Sequence, residues 1–196
     1  MGQYPIHTSK PTAMFKTRVT HTTINRTLFL KGMAKESFFI RKTLNCDNDN
    51  AYQETAIDMG AYVDALGKSI VRIHNIAVTF SDSSGRSSNV NSEAAAQFQL
   101  LTQSQSNIVL PSDRSIISTG KLLVDGAGGV ATHVSQDYDI LPQHWTNGYL
   151  VAVDTLYLGG AASTGFAGNV YCSVVMECTV ETMGQSAAMA LALSQQ

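Results

Sequence analysis

The stretch VYCSVVMECTVET, Val170 to Thr182, constrains this chain more than any other. Val170, Cys172, Val174, Met176, Cys178 and Val180 fall on one side of an extended backbone, with Tyr171, Ser173, Val175, Glu177, Thr179 and Glu181 on the other. Alternation of this kind is the period of a half-buried strand, one face on a core and one toward solvent. At about 3.3 Å per residue, Cys172 and Cys178 stand roughly 20 Å apart on the buried face, too far for a disulfide, whose Cα atoms lie within about 7 Å. Cys46 brings the count to three, and an odd number argues against a disulfide framework. Thiols that fill the core are the expectation.

Other segments carry the same period. Ile70 to Phe80 changes phase: Val71 and Ile73 face one way, then Ile76, Val78 and Phe80 the other, and a bulge near His74-Asn75 reconciles the halves. Tyr149 to Leu158, YLVAVDTLYL, is apolar on both faces apart from Asp154 and Thr155, so it is expected as one central strand covered on both sides. Shorter strands are expected at RTLFLK, SFFIR, ETAID, SIIST, KLLVD and VATHV, separated by turn signals such as Pro-Ser-Asp and Asp-Gly-Ala-Gly-Gly. Helices are expected in two places. Asn91-Ser92-Glu93 offers a cap before AAAQFQLL, where Ala94, Phe98 and Leu101 share a helical face, and the tail from Gln185 to Leu193 is short and Ala-rich. The sum is an all-β antiparallel sandwich or barrel with one or two short helices. The organisation read from it is a basic arm with edge strands over 1–42, a β-sandwich body over 43–183, and a short helix or arm over 184–196.

Motifs for chemistry fail on spacing. Gly67-Lys68-Ser69 invites comparison with a phosphate-binding loop, but Gly60 lies two positions too far upstream and a β-branched run follows where a helix should open. Asp47 and Asp49 have the spacing of a calcium loop, yet Tyr52 and Asp58 stand where Gly and Glu are required. No serine sits in a nucleophile elbow, and His7, His21, His74, His133 and His144 are scattered without a partner motif. No enzyme, metal or cofactor is expected. The one loop of interest is LPQHWTNGY, where His144, Trp145 and Tyr149 form a candidate contact site, capping the core or meeting a sugar or partner.

Charge is unevenly placed. Through Lys42 there are eight Lys or Arg against Glu36 alone, while the rest carries five against fourteen Asp or Glu, a net +7 against −9. Lys10, Lys16, Arg18 and Arg26 thus form an arm suited to nucleic acid, a membrane surface, a neighbour's acidic body or its own domain. Charged residues total only 14%, which suits a subunit packing against copies of itself. No secretory leader or spanning apolar run is visible, so a soluble chain made in a cytoplasm is expected.

The basic polar leader, the Ser/Thr/Asn-rich loops, the segment NSEAAAQFQLL and the late strand NVYCSVVMECTVET together resemble single jelly-roll capsid proteins of icosahedral viruses. The resemblance implies two packed four-stranded sheets and a virion protein made in host cytoplasm. Its partners would be copies of itself and other coat proteins, with the arm facing a genome or internal membrane and no small-molecule substrate. A lectin-like sandwich, binding glycan through Trp145 and the Asp137/Asp139 loop, and a phage tail or tube subunit are the alternatives.

Overall fold

The computed structural model describes residues 36–64, 66, 68–125, 132–135 and 140–196. In chain order its elements are β1 (Phe38–Asn45), β2 (Gln53–Asp58), β3 (Ser69–Ser81), β4 (Ala94–Leu101), β5 (Ile116–Asp125), β6 (Thr132–Ser135), a 3-10 turn (Pro142–His144), β7 (Tyr149–Val151), β8 (Thr155–Ala162), β9 (Tyr171–Thr182) and α1 (Gln185–Ser194). One sheet has the order β1-β9-β3-β7 and the other β2-β8-β4-β5-β6, with every pairing antiparallel.

The pairs β1·β9, β2·β8, β3·β7 and β4·β5 are nested, the outermost strands of the chain meeting first and the innermost last. Successive pairs alternate between the two sheets. A long antiparallel hairpin wound in this way is a jelly roll, and β6 extends it by pairing with the far edge of β5.

The alternating face of β9 supplies the middle of the core: Cys172, Val174, Met176 and Cys178 are buried beside Val71, Ile73 and Ile76 of β3, opposite Phe98, Leu100, Leu156 and Leu158 of the second sheet. The expected bulge is present, since Ile73 pairs with Cys178 and Asn75 with Glu177, leaving His74 as the extra residue. All three cysteines are free and buried. Burial pushes the Cys46 thiol up to about 11 and Cys178 to about 12, and raises Cys172 well above its ordinary value. At neutral pH they are apolar filler rather than nucleophiles.

Three expectations are corrected. The segment after Asn91-Ser92-Glu93 is the strand β4, hydrogen-bonded to β5 on one side and β8 on the other. Ala94, Ala96, Phe98 and Leu100 also recur at a period of two, and two waiting neighbours outweigh the few tenths of a kcal/mol per residue that alanine favours a helix by. Tyr149 to Leu158 is two strands in different sheets, with the chain crossing through buried Ala152 and Val153 while Met59 N donates to Asp154 O at 2.8 Å. A segment spanning the core between two layers is apolar on all sides, which imitates a central strand. SIIST and KLLVD join through Gly120 into the single strand β5.

Lys68 takes a φ of 72° in the turn before β3, and it is a strand, not a helix, that opens at Ser69. Asp47 ties loops together, accepting from Asn45 Nδ2 at 2.7 Å and Asn169 Nδ2 at 2.8 Å. RTLFLK, Asp137 and Asp139 lie outside the described residues.

Candidate functional site

The most elaborated surface lies where the tail meets the β3/β7 side of the first sheet. QSAAMALALS is built from good helix formers, but α1 has no side-chain cap, no acid in its first turn and no base in its last. Ten residues are too few to hold a helix in water, so α1 depends on docking. Its inner side sets Ala188, Leu191 and Ala192 on Ile70, Leu150 and Ala152.

Gln195 closes the arrangement. The residue is buried, and its Oε1 accepts from Ala152 N at 2.9 Å while Nε2 donates to Leu150 O at 2.7 Å. β7 is the edge strand of its sheet, and Leu150 O and Ala152 N, both bonded to Gln195, lie on its free edge. A glutamine amide can present an N–H and a C=O in the layout of a backbone, and Gln195 thereby seals that edge. Nε2 also reaches Tyr149 Oη at 3.5 Å. Burial raises the Tyr149 phenol pKa, and this hydrogen bond works against that rise.

The loop of residues 102–115 holds the chain end from the other side: Gln103 Nε2 donates to Gln195 O at 3.3 Å, and Arg114 Nη2 to Gln196 O at 3.1 Å. That loop is itself pinned to β2, where Glu54 accepts from Ser104 Oγ at 2.6 Å, Gln105 N at 2.9 Å and Tyr52 Oη at 2.8 Å.

Across from the helix stands the Trp145 loop. Gln143 grips β3 beyond its bulge, accepting from Ile76 N at 3.1 Å and donating to Ile76 O at 3.0 Å. Gly148 has a φ of 60° and lies so close to β3 that a Cβ would stand 2.2 Å from Ile73 O. Trp145 is 44% exposed, enough to touch a partner, and its ring centroid lies 6.2 Å from that of Tyr149. Thus the candidate residues Trp145 and Tyr149 are side by side, with His144 exposed next to them. Arg72 bonds Glu181 at 3.0 and 2.9 Å and also donates to Asn147 O, while Glu181 in turn holds its guanidinium charged.

A groove of about 390 Å³ runs between the two walls, lined by Tyr149, Leu150, Leu191, Ser194, Arg72 and Arg114 among others. Among the described residues no three His, Cys, Asp or Glu converge as a metal would require. Lys10, Lys16, Arg18 and Arg26 lie outside the described residues. Gln195, Gln143 and Gly148 carry no motif, and sequence reasoning passed over them.

No protein-family model matches the chain, and no curated protein matches it. Among solved structures it is similar to VP1 of Trichodysplasia spinulosa-associated polyomavirus in complex with GM1 oligosaccharide, at a TM-score of 0.43 and 8% identity over 78% of this chain and 97% of that one. It is also similar to VP1 of Merkel cell polyomavirus as an unassembled pentamer, at a TM-score of 0.36 and 9% identity over 77% of this chain and 98% of that one.

Proposed function

We propose that this chain is a structural subunit of a viral capsid, resident in the virion and working by repeated contacts with copies of itself rather than by turnover. The observation that carries this reading is the nested strand order, the architecture that shell proteins share with some lectins. Rigidity favours the shell. Loops at one end are cross-tied, with Cys46 N donating to Val170 O at 2.8 Å, Asn91 N to Gly165 O at 2.8 Å and Asn48 Nδ2 to Phe166 O at 3.3 Å. A building block with fixed loops meets each neighbour in the same geometry.

Sedimentation and negative-stain electron microscopy over a tenfold rise in protein, at moderate salt, test this. Closed particles are the expected result, open tubes would favour a tail-tube subunit, and a strict monomer throughout would sink the shell reading.

For the leader, the proposal is that Lys10, Lys16, Arg18 and Arg26 face a polyanion. Filter binding to nucleic acid should then weaken with salt, with a log–log slope of about −3 to −4 for roughly four neutralised phosphates, and without base preference. Binding to neither nucleic acid nor anionic vesicles at low salt would remove this role.

A further inference from the structure

A short surface helix of a globular protein has one apolar side and one charged side. α1 departs from this rule, because no charged residue occurs anywhere from Gln185 to Gln196. Its inner side is taken by Ile70, Leu150 and Ala152, yet its outer side presents Met189 at 43% and Leu193 at 69% exposure, with exposed Ser186 and Ala190 between and beside them. Positions 186, 189, 190 and 193 recur at helical spacing and form one stripe, with Ala190 at its middle. Met189, Ala190 and Leu193 make the outer side apolar as well as the inner one, and a helix with apolar residues on opposite sides is one that ends up covered on both.

We propose that this outer stripe of α1 is a contact between two copies of the chain, packed on the same stripe of a second copy about a two-fold axis near Ala190. The inference rests on the assembly reading above and names the surface that serves it. Charge argues for a second copy. About a two-fold axis each residue meets its own symmetry mate, so a charged face repels itself and a neutral one does not. The body, residues 36–196, carries seven Lys or Arg against fifteen Asp or Glu, so copies of this acidic body approach most readily through an uncharged patch. Small Ala190 at the centre lets the two helices come close while Met189 and Leu193 pack to either side.

A membrane fits less well. Helices that lie in a bilayer surface carry Lys or Arg on their polar face, and α1 has none and lends its other face to the sheet. The size of the stripe sets how the contact behaves. A ten-residue helix is about 15 Å long and its outer face buries on the order of 300 Å² per copy, below the roughly 800 Å² per partner of a stable complex. The contact therefore closes briefly between free subunits and persists only alongside others in an assembly.

Oxidative cross-linking reads such brief contacts. Ala190→Cys in the full chain should form a disulfide dimer at least tenfold more abundantly than Ser87→Cys, a control at an exposed loop position, because the native thiols are all buried. Adding Leu193→Lys should cut that yield tenfold while leaving the melting temperature unchanged, since Leu193 is mostly exposed. Equal yields from the two cysteine variants, or a yield indifferent to Leu193→Lys, overturn the proposal. So does flotation of the wild-type chain with neutral phosphatidylcholine vesicles that Leu193→Lys abolishes. The particle assay on the wild type separates the two ideas: particles without the link leave the shell reading and remove this contact, whereas the link without particles does the reverse.

Discussion

Gly148→Ala is expected to lower the melting temperature by about 10 °C, a loss of roughly 3–4 kcal/mol at 2–4 °C per kcal/mol for a chain of this size. Two causes add. At φ 60° an L side chain costs about 1–2 kcal/mol. The new Cβ would also stand 2.2 Å from Ile73 O and 3.3 Å from His74 Cα, atoms of the β3 backbone that have no rotamer to escape into. Gly85→Ala is the matched control. Gly85 has a φ of 80°, but a Cβ added there would meet nothing within 4 Å, so only the conformational cost of about 1–2 kcal/mol applies and the shift should be about 2–8 °C. Thermal melts followed by fluorescence of Trp145, the sole tryptophan, report the same loop that must move. Equal shifts for the two variants would mean that the closeness of Gly148 to β3 contributes nothing.

Gln195→Leu should cost about 3 kcal/mol, because Ala152 N and Leu150 O would lose their partner and each unsatisfied buried group costs about 1–3 kcal/mol. The expected drop is about 6–12 °C by melting, with earlier proteolysis of the tail. Gln195→Glu adds a signature that simple loss of packing lacks. A carboxylate still accepts from Ala152 N but faces the Leu150 carbonyl with no proton to donate, and both burial and that carbonyl favour the neutral acid. The carboxyl pKa is then raised by folding, so its stabilising form is fully present below the unfolded value of about 4.3 and lost as pH rises through the folded value. Relative to wild type, this variant should be near neutral at pH 4 and should lose stability toward pH 7. A deficit that does not vary with pH would show that the amide's hydrogen bonds are not what holds the tail.

The strands were legible where one face meets the core and the other water. Val170 to Thr182 and the phase change at His74-Asn75 follow from period alone, because a slip of one residue would turn every inward side chain outward. Burial on both sides erases that contrast. Tyr149 to Leu158 is apolar throughout because it crosses the core, and nothing within it says that the crossing occurs at Ala152 to Asp154. Ala94 to Leu101 satisfied a helical period and a strand period together, and the vacant edges of β5 and β8 decided between them.

The site was legible in part. An exposed tryptophan near a tyrosine can be noticed in LPQHWTNGY, but a glutamine that finishes a sheet edge looks like any tail glutamine until β7 lies beside it. The sequence by itself determined the β-rich class, the bulge, the inert core thiols and the uncharged tail, since each follows from the order and polarity of neighbouring residues. Tertiary structure alone decided which sheet each strand joins, that Gly148 must lie against Ile73 and that Gln195 meets Leu150 and Ala152, because these depend on residues brought together from distant parts of the chain.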